Sequence, residues 1–176
     1  LSPASNIKAV EPGHDHLAVL AEKSIEVFDG YAMDAALDQN WAATADAVIC
    51  CEVIEHVADT ASFVDSLAAL AKPGGLIIMT GLCGNGFDIK VLGERSKAVS
   101  PPHHLNFLSQ LGVNKLINRT GLQLASFTTP GELDVDIVCN ALREFRDIQI
   151  TPFLQELVQD NDENKRQNFQ KFLKEN

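Results

Sequence analysis

At 176 residues, 45% of them apolar and 22% charged, the chain has the size and composition of one packed domain and is not disordered. A net charge of -10 argues against sequence-independent binding along a phosphate backbone, so no nucleic-acid partner is expected. No apolar run reaches the ~20 residues that span a bilayer and no signal-peptide pattern opens the chain, so no membrane partner is expected and a reducing cytoplasm is the expected compartment.

The run "IKAV" (residues 7–10) has β character and ends at the turn signal Glu11-Pro12-Gly13. Residues 14–23 carry helix formers, with Leu17, Leu20 and Ala21 on one side. "IEVFDG" (25–30) alternates apolar and polar and predicts a second strand, and 33–40 predict a short helix. "DAVICC" (46–51) is nearly continuous in apolar residues, as a strand covered on both faces would be, with Cys50 and Cys51 as small core residues on opposite faces. The cysteines at 50, 51, 83 and 139 have no metal-type or redox-type spacing.

Asp59 is a capping residue for a helix on which Phe63, Leu67 and Leu70 share a face, and Pro73-Gly74-Gly75 stops it. "LIIMT" (76–80) predicts another buried strand, followed by a glycine-rich loop at 81–86. Residues 108–121 predict a helix and 122–130 a strand. Beyond Asp134 two more helices are expected, the second (152–173) strongly charged with Phe169, Phe172 and Leu173 packing inward.

Strands alternating with helices define an α/β, doubly wound, mostly parallel sheet, in which ligands lie outside the carboxyl ends of the strands. The polar residues of this chain cluster at those ends. Glu11 is placed to accept hydrogen bonds from both hydroxyls of a ribose, or to act simply as a turn residue. Asp34 is placed to accept from the exocyclic amine of an adenine, with Met33 against the ring, or to cap the helix that follows. Tyr31 and Trp41 read as core or rim aromatics. Asp134 and Asp136 read equally as a second acidic pair or as a solvated helix start.

The succession "AVEPG", "GYAMDA" and "DAVICCEVIEHVAD…FVDSLAALAKPGGLIIMT" resembles the class I S-adenosylmethionine-dependent methyltransferases, with a Rossmann-like fold. "EVIEHV…LAKPGG" is similar to the ubiquinone-biosynthesis O-methyltransferase-like group, whose members methylate small-molecule or polymer-terminal hydroxyls. "PPHHLNFLS" and "TTPGELDVDIV" resemble later segments of that group, so the likeness runs from about residue 7 to 142. It implies S-adenosylmethionine as cofactor, Glu11 on the ribose, Met33 and Asp34 flanking the adenine, and Cys51 and Glu52 along the methionine part. It implies a small-molecule or glycan-like acceptor.

The family also carries a first strand and a glycine-rich loop about 20 residues before the ribose acid, and usually a closing antiparallel strand. Neither end of the sequence has room for them. The expectation is one partial methyltransferase-like domain over 1–176, with a helical segment at 152–176, excerpted from a longer protein. The missing strand belongs at the centre of the sheet, so its neighbours would show unpaired backbone groups, and weak folding or weak cofactor binding is expected.

The stretch "EVIEHV" carries the reactive groups. On a helical turn Glu52, Glu55 and His56 would share a face and converge on a cation. Small-RNA 3′-terminal 2′-O-methyltransferases show a similar Glu-x-x-Glu-His set with a distant histidine holding magnesium or manganese. By that resemblance His104, rather than its neighbour His103, supplies the fourth ligand. A metal would acidify an acceptor hydroxyl and align it with the methyl group. Without one, His56 or His104 would serve as general base. The plain alternative is acidic residues complementing a helix dipole. Against the methyltransferase reading stand a non-catalytic methyltransferase-like interaction module and, lower, a nicotinamide-dependent oxidoreductase that would also use Glu11.

Overall fold

The computed structural model describes residues 6–130, 134–145, 147–159 and 163–175, with backbone alone at 157–159, 163 and 173–175. The chain divides into two compact units, Leu1–Thr80 with Leu116–Leu122, and Gly81–Lys115 with Gln123–Asn176.

The first unit holds all four strands found among the described residues: β1 (Lys8–Glu11), β2 (Glu26–Asp29), β3 (Ala45–Cys51) and β4 (Ala71–Thr80). They form two separate parallel pairs, β1 with β2 and β3 with β4. Helix α1 (His14–Glu22) joins the first pair, and α3 (Thr60–Leu70) joins the second. Helix α2 is a single turn, Ala32–Ala35, shorter than the expected 33–40, because hydrogen-bonded turns from Leu37 to Ala42 take over. Asp34 therefore stands inside the first turn, and the residue before the helix is Tyr31, whose side chain makes no cap bond. The capping role read for Asp34 is corrected.

One core joins the two pairs. Ala35 of α2, Trp41 and Leu70 of α3 are buried together, and Val10, Phe28 and Val48 of β1, β2 and β3 pack on them. The Phe28 and Trp41 rings meet edge to face, centroids 5.6 Å apart, which adds about 1 kcal/mol to the burial itself. Trp41 is thus a core aromatic, whereas Tyr31 is exposed.

Helix α3 is specified locally. Asp59 accepts hydrogen bonds from the amides of Ala61 and Ser62 at 3.0 and 3.1 Å and from the Ser62 hydroxyl at 2.7 Å. Those bonds, the Ser62 hydroxyl first, hold its carboxyl below the usual aspartate range. Phe63, Leu67 and Leu70 are all buried as the spacing predicts. The helix ends at Leu70, before the Pro-Gly-Gly, because Ala71 already pairs with Ala45. The ladder then slips before resuming at Ala47 with Leu76. Gly74 (φ +79°) turns the slipped segment, and a Cβ on Gly75 would sit 2.9 Å from the Lys72 carbonyl.

β3 is not covered on both faces. Ile49 is 67% exposed, and Leu76 and Ile78 beside it in the ladder are also exposed, while Cys50 is buried and Cys51 exposed. Reading both cysteines as core residues is corrected for Cys51. The expected strand at 122–130 has no regular structure and no ladder partner among the described residues, and an unpaired strand gains nothing over coil.

The second unit is helical: α4 (Phe87–Leu92), α5 (Gln110–Thr120, whose last turn belongs to the first unit), α6 (Asp134–Glu144), α7 (Pro152–Gln159) and α8 (Glu163–Glu175). Its core is Val135, Cys139 and Leu154, with Phe87, Val91, Ile150 and Phe169 against it. Phe172 stacks on Phe169 but stays 56% exposed, so its inward packing is corrected; the Leu173 side chain lies outside the described residues. Gly84 passes the Phe107 carbonyl so closely that a Cβ would overlap it, fixing the bridge from Cys83 to Leu108.

Candidate functional site

Parallel pairing brings the carboxyl ends of neighbouring strands together, and the expected site residues lie there in two groups. In the first group Glu11 pairs in register with Asp29, and the Gly30 amide donates to the Glu11 carbonyl at 3.3 Å. The Glu11 carboxylate is turned into its own turn: Oε1 accepts from the Gly13 amide at 2.7 Å, and Oε2 lies 3.5 Å from His16 Nδ1. The turn role is therefore present, and the Glu11 side chain keeps 27% exposure. Asp34 and Met33 are exposed just beyond β2, with Asp34 Oδ2 3.8 Å from where a Gly30 Cβ would stand.

The second group is built on the β3 and β4 ends. Cys51 is in register with Thr80, and the next amide, Glu52, donates to the Thr80 carbonyl at 3.0 Å. Thr80 Oγ1 then donates to Glu52 Oε1 at 2.7 Å. Glu52 has φ +52°, a left-handed conformation that a non-glycine residue occupies at a cost of about 1 kcal/mol or more. A residue held there by two bonds from one neighbour is fixed in direction as well as position.

The following residues do not continue an α-helix from Glu52. Ile54–His56 form one 3₁₀ turn, preceded by Glu52 in the left-handed region. The single helical face expected for Glu52, Glu55 and His56 is thereby corrected. Glu55 is turned inward, 2% exposed, and its Oε2 has no hydrogen-bond partner, while His56 is exposed. Burial, then the charges of Cys51, Glu55 and Glu52, push the Cys50 thiol up to about 11.

His104 belongs to the second unit, where its Nδ1 lies 2.6 Å from the Ala98 carbonyl. Among the described residues no group of three or more His, Cys, Asp or Glu side chains is placed to hold a metal ion. The expected metal set Glu52, Glu55, His56 and His104 is divided between the two units, and within the first unit one Glu52 oxygen accepts from Thr80 while Glu55 is buried. The strand-end carboxylates are of a kind that fits the polar groups of a nucleoside with a charged amino-acid tail: Asp34 and Glu52 are exposed acceptors and Glu11 is half-buried.

Sequence reading missed Thr80, which only the β3–β4 register sets beside Glu52. It also missed the pairing of a buried with a half-buried acid in the second unit, Asp88 with Asp134. Asp88 Oδ2 accepts from the buried Ser96 hydroxyl at 2.6 Å, and Asp134 Oδ2 accepts from the Phe87 amide at 3.2 Å. Burial first, then the charge of Asp88, raises the Asp134 carboxyl above the usual aspartate range. Asp134 is thus a half-buried helix cap and not a solvated helix start.

Parallel strands linked by helices define a Rossmann-like α/β class. The solved structure of a candidate sarcosine dimethylglycine methyltransferase from Galdieria sulphuraria shares that fold, with a TM-score of 0.55 at 15% identity over 88% of this chain and 61% of that one. The methyltransferase-domain family model matches residues 5–126, and the chain belongs to that family.

Among curated relatives, the ubiquinone biosynthesis O-methyltransferase of Vibrio parahaemolyticus is 33% identical over 46% of this chain and 37% of its own length. That of Methylocella silvestris is 38% identical over 42% of this chain and 30% of its own. That of Leptothrix cholodnii is 26% identical over 70% of this chain and 64% of its own. The chain therefore spans less than two thirds of the length of each of these curated relatives.

Proposed function

We propose that the chain forms part of an S-adenosylmethionine-dependent methyltransferase acting on a hydroxyl oxygen of a small-molecule or glycan-like acceptor. The observation that carries the reading is Glu52, strained into a left-handed conformation at the end of β3 and fixed there by Thr80. Local strain kept at a strand end of this fold class marks a ligand-facing position. The three ubiquinone biosynthesis O-methyltransferase relatives support oxygen as the acceptor atom.

The cofactor supplies an electrophilic methyl group on a sulfonium. The chain's own residues do the rest. Glu11 accepts from ribose hydroxyls, and Asp34 accepts from the adenine amine with Met33 over the ring. Glu52 faces the positive amino-acid end, and Cys51 lines the path beside it. An acceptor hydroxyl must lose its proton as the methyl is transferred, and His56 or His104 takes it. Among the described residues no gathered donor set supports magnesium or manganese assistance, and no step is assigned to an ion. The free thiols and the absence of any helix long and apolar enough to cross a membrane, among the described residues, are compatible with a cytoplasmic setting.

Calorimetric titration of the chain with S-adenosylmethionine tests the reading. Measurable heat that Glu52→Gln weakens is expected. Binding without any methyl transfer to hydroxyl acceptors would favour the non-catalytic module, and no binding in several buffers would remove the methyltransferase reading.

A further inference from the structure

The turn from β1 into α1 sets two imidazoles opposite two acids. Glu11 and Asp29 stand in register at the ends of β1 and β2, and α1 packs against both strands. From the first turn of α1, His16 Nδ1 lies 3.5 Å from Glu11 Oε2, and His14 Nδ1 lies 3.8 Å from Asp29 Oδ1. Among the described residues these imidazoles are the only ion-pair partners of the two acids.

Backbone geometry brings His16 to Glu11. The Gly13 amide donates to Glu11 Oε1 at 2.7 Å, and the His16 amide donates to the Gly13 carbonyl at 3.0 Å. A Cβ on Gly13 would sit 2.8 Å from Glu11 Oε1 and 3.6 Å from His16 Nδ1, so a side chain there would displace the carboxylate. Glu11 Oε1 is thus held by a backbone group that does not titrate. Oε2 meets a group that does.

The 3.5 Å separation from His16 Nδ1 to Glu11 Oε2 is longer than an ordinary N–H···O bond of ~2.9 Å, so a neutral ring gains little from it. An imidazolium in the same place attracts the carboxylate by its charge. Imidazole is the side chain whose charge ordinarily changes between about pH 5 and 8. The His16 side chain is 71% exposed and free to swing when that attraction is absent. The other charged groups around this corner are Asp15 in the same helical turn and Asp34 on α2, both acids. Lys8 pairs with Glu26 at the opposite end of the two strands, and Glu22 and Lys23 close the far end of α1. The charge that reaches Glu11 is that of His16.

We propose that His16 is a pH-dependent clasp on Glu11. Its imidazolium holds Oε2 in the turn at mildly acid pH, and the neutral ring releases it to the ribose of a nucleoside ligand. His16 acts through Glu11 and is a positioning residue. The consequence for the cofactor rests on the reading of Glu11 as the ribose acid, whereas the clasp itself does not.

Two measurements on the 176-residue chain keep these apart. Without ligand, the nuclear Overhauser contact between the His16 ring and the Glu11 side chain should strengthen as the pH falls from about 8 to about 5.5. Glu11→Gln, which keeps the shape and removes the charge, should abolish that strengthening. With S-adenosylmethionine, calorimetry should show binding weakening about five- to tenfold over the same range, the scale of one hydrogen bond to a charged group. His16→Gln should remove most of that pH dependence, and His14→Gln should keep it. A ring contact that ignores pH, or one that strengthens equally in Glu11→Gln, would overturn the clasp. Cofactor binding with the same pH dependence in His16→Gln as in the parent would overturn its control of the site. No cofactor binding at any pH would instead reject the ribose role of Glu11, and the ring contact would still decide the clasp.

Discussion

Thr80 Oγ1 donates a 2.7 Å hydrogen bond to Glu52 Oε1, across the ends of two parallel strands that lie 28 residues apart in sequence. The same pair exchanges a backbone bond, Glu52 amide to Thr80 carbonyl, at 3.0 Å. The carboxylate is aimed by the sheet and not by its own turn. Thr80→Val keeps the shape and removes the donor. It should weaken S-adenosylmethionine binding about five- to tenfold, the worth of roughly 1 kcal/mol for one hydrogen bond to a charged group, with little change in melting temperature. Calorimetry beside a thermal melt checks both; a large melting shift with unchanged affinity would assign the bond to stability alone.

Glu55 presents the opposite case, a carboxylate 2% exposed with Oε2 unpartnered. Glu55→Gln preserves volume and removes the charge, so the chain should melt no lower than the parent and up to about 1 kcal/mol more stable at neutral pH. A loss of 2 kcal/mol or more, on the scale of a broken buried charge interaction, in a denaturant titration would mean that the carboxylate is paired in solution.

The four cysteines should separate by reactivity. Cys50 is buried and its thiol is pushed up to about 11, whereas Cys51 is exposed. Iodoacetamide at pH 8, followed by peptide mass spectrometry, should label Cys51 well before Cys50. If Cys51 lines the cofactor path, S-adenosylmethionine should slow that labelling and leave Cys83 unaffected. Equal labelling of Cys50 and Cys51 would show that β3 opens.

Asp134 makes the second unit sensitive to pH. Its folded carboxyl is raised above the unfolded value of 3.8 by burial and by Asp88. The folded state therefore holds its proton more tightly, so this contribution is complete below 3.8 and is lost as pH rises through the raised folded value. Thermal melts from mildly acidic to neutral pH should show the parent losing stability across that window, and Asp134→Asn should flatten the slope. An unchanged slope would mean that the Phe87 amide bond outweighs the repulsion.

Manganese gives a further test. Because no three of the described ligand-type residues are gathered, millimolar Mn²⁺ should leave the melting temperature of the chain unchanged, and His104→Ala should make no difference to that result. A metal-dependent rise abolished by His104→Ala would restore the four-ligand set.

Much of the fold was legible in the chain because it depends on short-range physics. The Asp59 cap, the Phe63–Leu67–Leu70 face and the strands at β1 to β4 follow from capping chemistry and side-chain periodicity, which act within one or two turns. The acids after strands were readable for the same reason, since strand ends are where turn residues and ligand groups both concentrate. The helical face read into "EVIEHV" was not, because the β4 partner pulls Glu52 out of helical geometry before the 3₁₀ turn begins.

Residue order alone thus settled that strands alternate with helices, which fold class results, and which residues stand at the carboxyl ends. The long-range pairings settled the remainder: that Thr80 aims Glu52, that Glu55 turns inward, and that among the described residues 122–130 has no ladder partner and the strands divide into two pairs. Periodicity reports which face of an element is apolar. It carries no information about what lies across the ladder, and a strand or a carboxylate acquires its role from that neighbour.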